Sequence, residues 1–435
     1  MSLVVIAGFG AIGAAPAATM SLLIASAAAF LLTRARLAAS PDTRLLDLAL
    51  AASLAAIALQ IVPMPGPVVS VLSPHAWPLQ SMLHVGPTRS SWPLSVDARS
   101  TRQALGAAAA PVLLFWAARE AFARGGVRLA TRVIAWSGLA LVLVTLVQRA
   151  TAPNLVLWQT VPTDAGAQPF GPFLNRNHFA TWLVMAGALT TGYLVAHRRT
   201  HQGRHTSIRL AVRDWLADGS GLMLAGAVAA MLVGLAASLS RAAILGAGCA
   251  LVMALWIARR RGAGRGVQAG AALLAVLLAA AVWANHEEIE RKFEAATTVE
   301  RVVIWRDTMP LVRDFWMAGT GAGTYGRAML RYQRSAPDLH FNQAHSEYVQ
   351  LLAEGGLLLT VPVVIAVTAW LRLARRQLRR ERHEAAWIRI GAAAGLFGAA
   401  VQGIFETGWR VPANALLCAL LAAMVVHERA ADRRS

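Results

Sequence analysis

Charge is scarce in this chain. Only 14% of its 435 residues are charged, against 57% that are hydrophobic. A soluble globular domain is about a quarter charged, so a soluble fold is excluded and the chain reads as an integral membrane protein. Cysteine is nearly absent as well. Cys249 and Cys418 both sit inside apolar runs, which speaks for small packing residues and says nothing about disulfides. Cation-holding motifs are missing too: there is no Asp-x-Asp pair, no His-Glu-x-x-His and no Cys/His cluster. A dedicated grip on a nucleotide-sugar diphosphate through a divalent metal, or on zinc, is therefore not expected. No positive segment precedes the first apolar run, so a cleavable signal peptide is not expected either.

What is present is a succession of apolar runs, near 17–33, 45–63, 103–119, 128–148, 174–196, 217–236, 240–258, 267–284, 349–371, 387–405 and 411–427. A shorter run at 3–14 is cut off from the next by Ala15-Pro16. With about 20 residues per span, this gives 11 or 12 transmembrane helices. Lipid offers backbone groups no partners, and the runs lack the alternation of barrel strands, so the expected fold is an all-α polytopic helix bundle. We expect one membrane domain over 1–435, with a single large outer loop at 285–348.

A formal charge of +19 suggests nucleic acid until its distribution is read. Of 41 Lys and Arg, 26 fall in six alternate inter-span segments: 33–44, 119–132, 197–213, 259–265, 372–389 and 428–435. The long loop holds eight basic residues against nine acidic ones. That asymmetry is the positive-inside pattern, which puts the basic segments in the cytoplasm and the loop outside. The basic clusters, such as Arg375-Arg376 and Arg379-Arg380, then face anionic headgroups. They lack interleaved aromatics, so no nucleic-acid partner is expected.

The segment 62–102 carries seven prolines together with Trp77 and Trp92, which predicts an irregular outer loop in the interfacial aromatic belt. Next comes Asn175-Arg176-Asn177-His178 at the start of a span. Capping explains one Asn; a polar rim around a substrate site explains the whole cluster. Arg241 opens another span just after a tight outer turn. It is either a snorkelling interfacial residue or a guanidinium that clamps an anion through two parallel hydrogen bonds. In the long loop, Val302, Trp305, Met309, Val312 and Trp316 share a helical stripe. That predicts an amphipathic helix over 299–316, resting on the membrane or the bundle and kinked at Pro310. Gly319-Thr320-Gly321-Ala322-Gly323 has no βαβ context and reads as a flexible turn. His345 stands where the loop re-enters the membrane, either as a cap of the re-entrant helix or as a chemical group. Glu406, Trp409, Arg410 and Asn414 surround a later outer turn and are either rim or ordinary boundary residues.

Four patches in order resemble the O-antigen ligase and polysaccharide polymerase superfamily of bacterial membrane glycosyltransferases. They are Gly171-x-Phe173-x-Asn175-x-Asn177-His178-Phe179-Ala180; Ser240-Arg241; Arg301-x3-Trp305 with the glycine run downstream; and His345-Ser346-x-Tyr348 with Glu354 and Gly356. Leu359 departs from the small or hydroxylic residue that often follows. The resemblance implies transfer of a glycan from a polyprenyl-diphosphate carrier to an acceptor hydroxyl. The acceptor would be a lipid A–core sugar (ligase), another carrier-linked repeat (polymerase) or a protein. It further implies that Arg241 and Arg301 hold the diphosphate and that His345 is the general base. Asn175, Arg176, Asn177, His178, Arg306 and Tyr348 would contact substrate, with no metal and no cofactor. The chemistry is compatible: fixed arginines can take up leaving-group charge, and a histidine can remove one proton. A lipid or polysaccharide transporter is the competing class, but the charges cluster at span ends and no inverted repeat is visible.

Overall fold

The computed structural model describes residues 16–35, 37, 40–83, 91–162, 167–201, 213–214, 216–262, 268, 270, 272, 275–276, 297–335, 340–381 and 386–428. The short run at 3–14 and most of the run at 267–284 lie outside the described residues, as do 285–296 and 336–339 of the long loop. All ten other apolar runs are helices, and the chain is an all-α polytopic membrane protein. In order these helices are α1 Pro16–Thr33, α2 Pro41–Leu59, the short α3 Gly66–Leu72 and α4 Ala76–Leu83, α5 Ala98–Ala123, α6 Val127–Thr151 and α7 Arg176–His201. There follow α8 Gly219–Ala237, α9 Arg241–Arg260, α10 Thr297–Asp314, α11 Tyr325–Tyr332, α12 Glu347–Arg380, α13 Ala386–Gln402 and α14 Pro412–Val426. Six of these are long and apolar enough to cross a membrane by length and composition: α5, α6, α7, α8, α9 and α12.

The bundle is built on α7, which packs against α13, α8, α6, α9 and α14. Its closest neighbour is α13, and the sequence says why. Gly391 and Gly395 lie four apart and face the α7 backbone, where a Cβ on either would meet the carbonyl of Ala188 or Met185. In lipid, small residues replace the hydrophobic effect by letting backbones approach closely. Gly398 meets Gly246 of α9 in the same way. A buried ion pair fixes α2 to α5: Arg119 grips Asp47 with two parallel hydrogen bonds of 2.7 and 2.8 Å, and Trp116 adds a third donor at 3.0 Å.

The two outer segments form one cap. The proline-rich stretch is not irregular throughout. It folds into α3 and α4, closed by a two-residue antiparallel pairing of Met64 with Trp92 and Pro65 with Ser91. Its apolar residues Val69, Leu79, Trp92 and Leu94 share a core with Ile304, Leu311 and Phe315 of the long loop. So α10 forms as expected but rests on another outer segment, and its buried stripe is Ile304, Thr308, Leu311 and Phe315. Val302, Met309 and Trp316 face outward.

The glycine run also differs from expectation. Gly319 to Ala322 are buried, and the run is a packed joint, not a flexible turn. Gly319, Gly321 and Gly323 all have positive φ (71°, 106° and 77°), and a Cβ on Gly319 would land on the Glu354 carbonyl. α12 is two helical segments meeting at Gly356, whose φ of 52° and ψ of −157° break the helix. The glycine run fills that break. Thr320 and Gly321 donate to the carbonyls of Ala353 and Glu354 (3.0 Å each), while Leu357 and Leu358 donate to Trp316 and Met317 (2.8 and 2.9 Å). Backbone groups freed inside a membrane helix need such partners. Gln60 completes the joint, donating to Ala318 and Glu354 carbonyls (2.8 and 2.9 Å) and accepting from Ala322 N–H (3.0 Å). Leu359 packs beneath, with Ala56, Ile57 and Ala322.

Candidate active site

Where the cap meets the bundle, one buried carboxylate gathers side chains from distant parts of the chain. Glu406 lies in the connection between α13 and α14 and is 1% exposed. From α7, Asn177 Nδ2 donates to Oε2 at 2.6 Å and His178 Nε2 lies 3.9 Å from Oε1. From α10, Arg301 Nη2 reaches Oε2 at 3.4 Å. From the re-entry turn, His345 Nδ1 lies 3.3 Å from Oε1. Burial by itself pushes a carboxyl up. Here the His345 hydrogen bond and the positive potential of His178, His345 and Arg301 outweigh it and hold Glu406 down at about 2. The group is an anion at any physiological pH, and it is the counter-charge of the cluster.

The local structure shows how each residue is placed. Asn175 is the cap of α7, with Oδ1 accepting from Asn177 N–H at 2.8 Å. Capping and the polar cluster are thus both present, divided between residues: Asn175 caps, while Asn177 and His178 turn to Glu406. His345 holds a left-handed backbone (φ 48°) directly before Ser346, whose Oγ accepts from Val349 N–H at 3.5 Å to cap α12. A non-glycine residue in that region is strained by about 1–3 kcal/mol and persists only where its surroundings impose it. They do so here. Ala344 N–H donates to Gln350 at 3.0 Å, and its carbonyl accepts from Trp305 Nε1 at 2.8 Å. Arg301 and Trp305, one turn apart on α10, therefore act on the same centre: one meets Glu406, the other holds the residue before His345.

Arg241 opens α9, partly buried and close enough to Arg301 for the two guanidinium charges to repel. Arg176 is the first residue of α7 and half-buried. Arg306 points to the exposed side of α10. The Tyr348 hydroxyl donates to the Ala400 carbonyl at 2.8 Å, which ties α12 to α13 and keeps it out of the Glu406 cluster.

A second carboxylate, Glu354, lies behind the first and is 2% exposed. It accepts from Gly323 N–H (2.9 Å), Tyr325 N–H (3.1 Å), Gln350 Nε2 (3.2 Å) and Arg410 Nη1 (2.8 Å). Arg410 also lies 3.8 Å from Glu347. The same Gln350 that touches Glu354 holds Ala344, so the glycine joint and the His345 turn are one hydrogen-bonded unit. Asn414, from the last outer turn, donates to the carbonyls of His178 (3.0 Å) and Gly408 (2.9 Å). The sequence leaves Glu406, Arg410 and Asn414 between rim and ordinary boundary residues; in the structure all three lie in or beside the cluster.

A histidine with one ring nitrogen on a buried carboxylate and two arginines alongside is equipped to take a proton and hold an anion. The class is therefore a multi-pass membrane protein with a polar centre at the foot of a cap. Residues 226–364 match the model of a family described as O-antigen ligase, which supports assigning the chain to the O-antigen ligase and polysaccharide polymerase superfamily of membrane glycosyltransferases. The matched segment includes Arg241, Arg301 and His345. Asn177, His178 and Glu406 lie outside it. No curated protein matches the chain.

Proposed function

We propose that the chain is a glycosyltransferase of the O-antigen ligase type. It moves a glycan from a polyprenyl-diphosphate carrier to an acceptor hydroxyl at the periplasmic face of the inner membrane. The observation that supports this reading is the His345–Glu406–Arg301 cluster with Arg241 beside it. Glu406 accepting from Nδ1–H leaves the lone pair on His345 Nε2, the nitrogen that takes the proton of the acceptor hydroxyl. As that oxygen bonds to the anomeric carbon, the bond from that carbon to the phosphate oxygen breaks, and the diphosphate leaves with the electron pair. Arg241 and Arg301 stabilise the charge that develops there. Arg301 spends one nitrogen on Glu406 and keeps others for phosphate, since a guanidinium has five N–H donors. The two arginines would do the work a divalent cation does elsewhere, so transfer should persist in chelator. Asn177 and His178 position Glu406, and with Arg176 form the rim offered to substrate.

The Asn-Arg-Asn-His-Phe-Ala patch keeps polymerisation of carrier-linked repeats as a second reading. A deletion strain separates the two. Full-length polymer left unattached means ligase, and accumulation of single repeats means polymerase. The mechanism itself is tested by His345→Ala and Arg241→Ala. Both should insert and fold yet abolish transfer, and normal surface polysaccharide in either variant overturns the assignment.

A further inference from the structure

A cavity of 1570 Å³ runs along the bundle between α2, α5, α9, α12, α13 and α14. One end is closed by Ala400 and Trp409, near the cap. The other opens among Arg199, Arg260, Arg261, Arg375 and Arg379, where α7, α9 and α12 end. The wall between is apolar, with Phe115, Met253, Phe397 and Cys418 among its residues, and among the described residues no Asp or Glu lines it.

The arginines at the mouth are arranged, not scattered. Arg199 lies over Trp387 at 4.7 Å from the ring centroid, and Arg260 over Trp256 at 4.2 Å. Stacking holds a guanidinium in place without neutralising it. Nearby acids are engaged by other residues: Asp42 by Arg376, and Glu381 by Arg389. Arg375 and Arg379 are exposed and enter no ion pair among the described residues. The result is an apolar slot with two tryptophans at one end and, among the described residues, the positive charge of Arg375 and Arg379 in no ion pair. That is the profile of a lipid, with the phosphate at the arginines and the chains along the wall.

We propose that this groove is a binding site for one anionic phospholipid of the leaflet that the basic segments face. Its phosphate sits at Arg260, Arg375 and Arg379, and its acyl chains lie against α12, α13 and α14. Charge decides among occupants. The ammonium of a zwitterionic headgroup would meet only positive charge. A glycan has no partner on the apolar wall. A polyprenyl carrier suits the wall, but under the proposed function its diphosphate is held at the opposite, cap end. The site is independent of the transfer chemistry, and its test reads lipid binding, so its failure would leave the proposed function untouched.

The test is a lipid titration of the delipidated full chain followed by native mass spectrometry, with phosphatidylglycerol, phosphatidylcholine and undecaprenyl phosphate as probes. One phosphatidylglycerol should bind well ahead of phosphatidylcholine. Combining R260Q, R375Q and R379Q should weaken that first site about 100-fold, at about fivefold per arginine. The triple lysine variant keeps the charge and should retain most of the binding. Cys418→Phe, which fills the wall and leaves every arginine, should also lose the site. Equal binding of the two phospholipids by the wild-type chain overturns the proposal, as does full retention in the glutamine variant or displacement by undecaprenyl phosphate. So does oxidative cross-linking of Cys418 to Leu277→Cys in a Cys249→Ser background, because the chain's own apolar run would then fill the groove.

Discussion

Glu406 and Glu354 are both buried carboxylates at the junction of cap and bundle, and they are satisfied in opposite ways. Glu354 accepts from two backbone N–H groups, one amide and one guanidinium. Its partners belong to the glycine joint, the broken helix and the turn before α14. Glu406 is met mostly by side chains that can themselves titrate or turn: two histidines, an arginine and an asparagine. The first arrangement fixes a backbone. The second holds a proton-accepting group and an anion-binding group near one another with their outer faces open. A charge that is needed for shape is surrounded by main chain, and a charge that is needed for chemistry is surrounded by side chains.

That contrast can be broken at several points. The largest stability effect is expected at Glu354→Ala, which takes the carboxylate from Arg410 and leaves two N–H groups of the joint and the Gln350 amide without their acceptor. Each buried donor left unpaired costs about 1–3 kcal/mol, so the purified variant should show a greatly lowered melting temperature or fail to accumulate. Acid should act next, and at Glu406. Its pKa is lowered to about 2 from an ordinary 4.5. The stabilisation is therefore fully present above pH 4.5 and is lost as pH falls from there through 2. The shift corresponds to about 3 kcal/mol, and a thermal melt series over that range should show the loss in the wild type and a flatter response in Glu406→Gln. The smallest effect is expected at Trp305→Phe. It removes the hydrogen bond to the Ala344 carbonyl, worth about 1 kcal/mol, while keeping the ring that stacks on Phe405 at 6.5 Å. Stability should fall slightly, and transfer should slow as the His345 turn loosens.

Much of the fold could be read from the sequence because span length and charge asymmetry are local properties. Ten runs are ten helices for that reason. The face that α10 buries could not be read, since its partner lies more than 200 residues earlier and both stripes of the helix carry apolar residues. The glycine run looked flexible because glycines at positive φ leave the same trace whether they form an open turn or a packed joint. Gly391-x3-Gly395 was a usable packing signal that went unread. In the site, Arg241, Arg301 and His345 stood out through the family resemblance, and the structure brings Arg301 and His345 to one carboxylate with Arg241 alongside. Arg306 and Tyr348 stood in the same motifs but lie apart from the cluster. Glu406 did not stand out, because one glutamate beside a span end is an ordinary boundary residue until three other segments converge on it.

The most direct test of this account is the rate of glycan transfer by purified Glu406→Gln, expressed per folded molecule. Glutamine keeps the shape and removes the charge that orients His345 and offsets Arg301. If Glu406 organises the centre, the variant should transfer at least 100-fold more slowly than the wild type, within the usual range for a displaced general base. Transfer within twofold of the wild-type rate would contradict the account.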